Sequence, residues 1–297
     1  MRTLAVIVTH NRSKLLSRCL DSLESQTRKP DDILVVNNGS TDNTQELLRS
    51  RRINFIEQSN VGSAGGWYSG IKYANENKFD LCWLMDDDGF PDINALNLLL
   101  QEFTNDNYVC LSSIVLNESD NDKLVFPIPI LNKNLNPTLR PWGRKLFNLQ
   151  QLSSSTSVYQ YAHLFNGALI SLNAVKDIGN VNKGYFIMGD EVDYFYRLRE
   201  IGKVGTLIKA KHYHPDVSKR AYSRDKIYYL LKNTIINHNL HFDYPLIRNI
   251  ALLFMLMIRV VSRNGIWYFI KLILSKDLLI FRAIRRGLSG SIHRDSV

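Results

Sequence analysis

Cysteine is scarce in this chain: 297 residues hold only Cys19, Cys82 and Cys110, with no CxxC pair. That excludes a disulfide framework and a thiolate zinc site, and the apolar neighbours of all three mark reduced core thiols, as expected in the cytosol. Long hydrophobic runs are missing as well. The first apolar stretch, LAVIVT, gives way to polar THNR and lacks the length and cleavage pattern of a signal peptide. Residues 250–258 (IALLFMLMI) fall short of the roughly 20 that a bilayer span requires. Acidic charge is in deficit, 28 Asp and Glu against 37 Lys and Arg, for a net +9. Most of that excess sits from Arg248 onward, where nine cations meet only Asp277 and Asp295. These cations alternate with aliphatic stretches rather than with stacking aromatics on a groove, which argues against nucleic acid. With 45% hydrophobic and 22% charged residues, the chain reads as globular.

Residues 3–9 (TLAVIVT) and 32–37 (DILVVN) are short Val- and Ile-rich runs closed by polar turn residues, the pattern of strands buried on both faces. Between them Leu15, Leu16, Cys19, Leu20 and Leu23 recur at helical spacing, completing a βαβ unit. The alternation continues: a helix capped by Ser40 or Thr41 through residue 50, a strand at 53–57, a helix over 64–77 and a strand, LCWLM, at 81–85. It predicts a mostly parallel sheet with helices on both faces. Residues 104–160, rich in Asn, Ser and Pro, read as loop-heavy with short possible strands. Order returns with LFNGALISL at 164–172, a helix over 191–201 and KVGTLIKA at 203–210. From Tyr222 the pattern is helical. IALLFMLMI and IWYFIKLIL, flanked by Arg259, Arg282, Arg285 and Arg286, suit helices lying in the headgroup region of an anionic membrane; the alternative is a helical subdomain packed on the core or in a dimer.

The feature richest in chemistry is Asp86-Asp87-Asp88-Gly89 at the end of LCWLM. Ligands of α/β sheets bind beyond the carboxyl ends of strands, and three crowded carboxylates repel unless a cation joins them. A hard ion, Mg²⁺ or Mn²⁺, held by one or two carboxylates completes its shell with substrate phosphates. The bland reading is a solvated acidic turn. Asn38-Gly39-Ser40 is alone no more than a turn and helix cap. NVGSAGG at 60–66 opens a helix where bare backbone could approach a sugar-diphosphate, though its spacing is not the GxGxxG of dinucleotide sites. Trp67 packs on a donor sugar or in the core. Asp190-Glu191-Val192-Asp193 begins a helix, where carboxylates either serve chemistry or merely cap.

VIVTHNR at 6–12, VVNNGSTDNT at 35–44, NVGSAGG at 60–66, WLMDDDG at 83–89 and GDEVDYFYRLREIG at 189–202 resemble, in order, the motifs of family 2 glycosyltransferases of the GT-A fold. The similarity is greatest to the bacterial galactofuranosyl- and rhamnosyltransferase branch and covers about residues 3–215. It implies a Rossmann-like half at 1–103 that binds the nucleotide-sugar, an acceptor half at 104–215, and a helical appendage at 216–297. Thr9, Asn11, Arg12, Asn38, Gly65, Gly66, Trp67, Asp86 and Asp87 would line the donor. Asp86, Asp88 and His214 would hold the metal, with His212 structural. Of the acidic pair, Glu191 matches the usual base and Asp190 is its rival.

These readings imply an inverting transferase moving a sugar from a UDP-linked donor, galactofuranose in the first instance, to a hydroxyl of a lipid-linked cell-surface glycan. It would work at the inner face of the bacterial cytoplasmic membrane, as a monomer or a homo-oligomer. A dTDP-rhamnose enzyme has nearly the same sequence signature. A silent glycan-binding scaffold would not need both carboxylate clusters, and a nucleotidyltransferase would not need the acidic pair.

Overall fold

A computed structural model describes residues 1–139, 145–152 and 157–297. Its first half follows the expected alternation: β1 (Thr3–Thr9), α1 (Ser13–Glu24), β2 (Asp32–Asn38), α2 (Thr44–Ser50), β3 (Asn54–Gln58), α3 (Gly62–Glu76) and β4 (Leu81–Asp86). β3, β2, β1 and β4 lie side by side and parallel. All seven residues of β1 are buried because helices cover both of its faces, which is why its sequence is an unbroken apolar run. α1 buries Leu16, Cys19, Leu20 and Leu23 beneath one face. α3 covers the other, and Gly66 and Gly70 let it lie close: a Cβ there would come within 2.5 Å of Val8 Cγ1 and 2.4 Å of Val6 Cγ1. Ser40 and Thr41 do not cap α2; the Asp42 carboxylate accepts from Thr44 N instead (3.1 Å).

After β5 (Phe90–Pro91) and α4 (Ala95–Asn105) come β6 (Tyr108–Asn117) and β7 (Asp120–Pro129), two ten-residue strands in a region whose composition reads as loop. Polar flanking residues obscure β6, and β7 is partly solvated along its length. β8 (Lys145–Asn148), α5 (Leu149–Leu152), β9 (Val158–Tyr159), β10 (Asn166–Ser171), α6 (Leu172–Ile178), α7 (Asp190–Ile201) and β11 (Lys203–His214) complete this half. The loop reading of 140–144 and 153–156 lies outside the described residues. β10 runs antiparallel between β4 and β6, and β11 is parallel to β6, so the sheet is parallel on the nucleotide side and mixed beyond it.

β11 reaches His214, four residues past the expected end, and so carries His212 and His214 within a strand. The chain ends in α8 (Arg224–His241), α9 (Pro245–Asn264), α10 (Ile266–Ile273) and α11 (Leu279–Leu288) around their own apolar cluster. α9 is 20 residues long, enough to span a bilayer by length and composition, where the apolar run alone predicts too short a segment.

Candidate active site

The ends of β1, β4 and β11 bring the acidic cluster together with two arginines and a histidine. Asp88, 4% exposed, sits with Oδ1 3.0 Å from His214 Nε2 and with Oδ2 2.9 Å from Arg12 and 3.6 Å from Arg220. Burial alone would raise its carboxyl, but the His214 hydrogen bond and the three positive partners win and hold it well below the ordinary carboxylate range. Asp87, equally buried, accepts from Thr9 Oγ1 (2.7 Å) and Arg12 (3.0 Å), yet burial leaves its carboxyl raised. Asp86 is raised much further, by burial first and then by the charges of Asp88 and Asp87. Asp86 thus bears the repulsion of both its neighbours, which an added cation would relieve.

A divalent metal fits here. His214 Nδ1 lies 2.7 Å from the carbonyl of Pro215, to which it donates, so a neutral ring turns the lone pair of Nε2 toward Asp88, as a metal ligand requires. Two acceptors 3.0 Å apart need a proton or a cation between them, and that spacing suits adjacent ligands of one octahedral ion. Among the described residues no cage of three or more such side chains exists, so phosphate and water oxygens would complete the shell. His212 is fully buried with neither ring nitrogen bonded among the described residues, and burial lowers it to about 3, so it stays neutral and structural.

A cavity of about 310 Å³ adjoins the cluster, lined by Asp86, Phe165, Asn166, Asp190 and Glu191 and closed by Leu230, Thr234, Asn237 and His238 of α8. The Glu191 side chain is 31% exposed. Its Oε1 accepts from Leu164 N (2.8 Å) and lies 3.3 Å from His163 Nδ1. Asp190 is 4% exposed, one of its oxygens without a partner among the described residues. Burial, then the charge of Glu191, pushes its carboxyl up to about 7 against backbone hydrogen bonds that lower it. The folded chain therefore holds this proton more tightly than the unfolded chain, an advantage complete below the ordinary carboxylate range and lost as pH rises through about 7. Asp190→Asn should accordingly stabilise the fold by about 3 kcal/mol at pH 8 and by little at pH 4. Urea unfolding at both pH values checks this, and an equal shift at the two would refute it.

The acidic pair is launched by a strained loop. Phe186 (φ 63°), Met188 (φ 62°) and Gly189 (φ 89°) are all left-handed, a conformation that costs a non-glycine residue on the order of 1 kcal/mol or more. α8 holds it. Asn233 Nδ2 donates to the carbonyls of Tyr185 (3.0 Å), Ile187 (3.0 Å) and Met188 (2.7 Å), and Asn237 Nδ2 donates to that of Gly189 (2.8 Å).

Several residues expected at the donor have partners within the fold. Trp67 is fully buried and stacks on Phe165 (4.5 Å between centroids), a residue that lines the cavity. Gly66 serves helix-on-sheet packing, and a Cβ on Gly65 would meet Val61 Cγ2 at 2.4 Å. Asn38 is 3% exposed, donating to the Gly62 carbonyl (2.9 Å) and accepting from Gln58 (3.0 Å) and Val61 N (3.2 Å), so its amide shapes the turn. Asp87 likewise orients Thr9 and Arg12. Asn11, at φ 55°, accepts from Thr41 N (2.7 Å) and joins the β1 and β2 loops at the rim. Sequence reading missed Arg220, His163 and the α8 wall: an arginine in a polar loop and asparagines within a helix carry no signal of their own.

This geometry has relatives. Residues 4–164 match the sequence model of Glycosyl transferase family 2. Galactofuranosyltransferase GlfT1 of Mycolicibacterium smegmatis is 36% identical over 219 residues, covering 71% of this chain and 70% of that protein. GlfT1 of Mycobacterium tuberculosis H37Rv is 34% identical over 218 residues, covering 71% and 69%. Among solved structures, residues 1–349 of S. aureus TarS in complex with UDP superpose with TM-score 0.59 at 13% identity, over 98% of this chain and 81% of that one. GalNAc-T7 with UDP, GalNAc and Mn²⁺ gives TM-score 0.61 at 14% identity, over 91% and 57%. At such identities the solved structures speak for the fold, which is that of the GT-A transferases, while the matched family model and the GlfT1 relatives speak for lineage: the chain is a glycosyltransferase of family 2.

Proposed function

We propose that this glycosyltransferase moves galactofuranose from UDP to a hydroxyl of a lipid-linked glycan, with inversion. The observation that carries the reading is a junction at Asp86: it belongs to the acidic cluster in which Asp88 meets His214, Arg12 and Arg220, and it also lines the cavity that Asp190 and Glu191 border. The galactofuranosyl part rests on the two GlfT1 relatives. Asp88 and His214 would hold Mn²⁺ or Mg²⁺, which when bound neutralises charge building on the departing diphosphate. Thr9 and Asp87 fix Arg12 beside that charge. Asp86, opening into the cavity, faces the donor ribose or sugar.

Glu191 is the base. Its anchored carboxylate takes the proton of the acceptor hydroxyl; that oxygen bonds to the anomeric carbon as the bond to the diphosphate oxygen breaks, and UDP leaves with the electron pair. Residues 1–215 form the catalytic unit, 1–103 for the donor and 104–215 for the acceptor, with 216–297 helical. The Asn233 and Asn237 contacts make the start of that helical part a wall of the site. Its exposed Arg259, Lys271, Lys276, Arg285 and Arg286, set among exposed aliphatic and aromatic side chains, would seat the enzyme on anionic lipid at the cytoplasmic face of the bacterial membrane.

A donor panel with Mn²⁺, read by released nucleotide and by the anomeric configuration of the product, tests this. UDP-galactofuranose should exceed UDP-galactopyranose, UDP-glucose and dTDP-rhamnose by about tenfold or more. Preference for dTDP-rhamnose overturns the donor, and retention of configuration overturns the mechanism. Failure to sediment with anionic vesicles removes the membrane partner.

A further inference from the structure

A second cavity, of about 290 Å³, lies in the helical region between α8, α9 and α10, and its walls are almost wholly apolar. Ile250, Leu253, Phe254 and Met257, at positions i, i+3, i+4 and i+7, present one stripe of α9 to it; Leu272 and Ile273 of α10 face them. Five of these six side chains are more than a third exposed, so the groove opens to the surface. Water gains nothing from such a lining.

Its placement relative to the reaction is specific. Ile227 and Leu231 of α8 line the groove, while Leu230, Thr234, Asn237 and His238 of the same helix line the catalytic cavity. The two spaces therefore occupy adjoining faces of one helix. His238 Nδ1 also lies 2.8 Å from Asn249 Oδ1, the residue preceding Ile250, so the groove begins where the catalytic cavity ends. The charge of the helical region argues against a second copy as the occupant. Two copies meeting there would bring together their exposed Arg259, Lys271, Lys276, Arg285 and Arg286, while Asp277 is already paired with Arg224 and Arg282. The same cations suit a molecule that comes from an anionic lipid surface.

The geometry points to this groove as the subsite for the hydrocarbon chain of the acceptor, whose saccharide head then stands at Asp190 and Glu191. The inference rests on the lipid-linked acceptor proposed above and gives that acceptor's chain a place in the protein. Each methylene that leaves water for the groove strengthens binding by about fourfold, so a chain burying three or four of them gains about a hundredfold.

The test uses the full chain without vesicles. cis-Parinarate, a fluorescent fatty chain, should bind saturably and be displaced by dodecyl maltoside below its micelle concentration but not by maltose. Leu253→Trp, which fills the groove, and Ile273→Gln, which wets it, should each weaken the probe by about tenfold or more. In transfer assays the KM for octyl glycosides should lie about a hundredfold below that for methyl glycosides in the parent chain, and the gap should shrink in both variants while turnover of methyl glycosides is unchanged. No saturable probe binding, equal displacement in parent and variants, or a chain-length effect seen only with vesicles overturns the subsite. Probe binding that behaves as expected with no transfer to any glycoside would leave the groove standing and sink the lipid-linked acceptor proposed above instead.

Discussion

Glu191→Gln is expected to lower kcat by about 10²- to 10⁴-fold while leaving UDP affinity in place. The amide keeps the size of the side chain and can still accept from Leu164 N, so the anchor that orients the group survives and only its basicity is removed. Steady-state kinetics beside UDP titration separate the two effects. Exposure is why Glu191 is preferred to Asp190: the acceptor hydroxyl must reach the base, and Glu191 opens to the cavity while Asp190 lies beneath it with its carboxyl pushed up to about 7. Burial first, and then the neighbouring Glu191 charge, raise the Asp190 carboxyl. Should Asp190→Asn cause the larger loss of kcat, the base is Asp190.

Asp88→Ala should abolish metal-supported transfer, by about 10³-fold or more if the ion contributes several kcal/mol to the transition state. The substitution leaves His214 and Arg220 without their shared anion and Arg12 with Asp87 alone. A Mn²⁺ titration of activity and of UDP binding, with and without chelator, measures the loss. Full activity in the variant, or in the parent chain with chelator present, would remove the ion from the mechanism. Thermal unfolding of the variant beside the parent shows whether lost folding accounts for lost activity.

The nucleotide half was legible in the sequence because central parallel strands have no wet face. β1 and β4 had to be apolar runs, and the carboxylates closing β4 had to stand at the sheet's ligand-binding edge. Residue direction was not legible. Asn38, Gly66 and Trp67 sit in motifs that suggest donor contact, yet each points inward, and only the packed neighbours Gly62, Val8 and Phe165 reveal it. β6 and β7 were obscured by the polar turn between them and by the half-solvated pattern of β7. α8 hid its role more completely. It buries Lys232, Asn233 and Asn237 among apolar residues, so it shows no amphipathic rhythm, and those polar groups find their partners far away in sequence.

Asn233 and Asn237 also set an order of events. During synthesis the acidic pair leaves the ribosome some forty residues ahead of the two amides that hold its strained approach, so the geometry of the base is among the last features the chain acquires. A message cut short upstream of Asn233 would encode a product that keeps the strands for gripping a nucleotide but lacks the amides that brace the approach to its acidic pair.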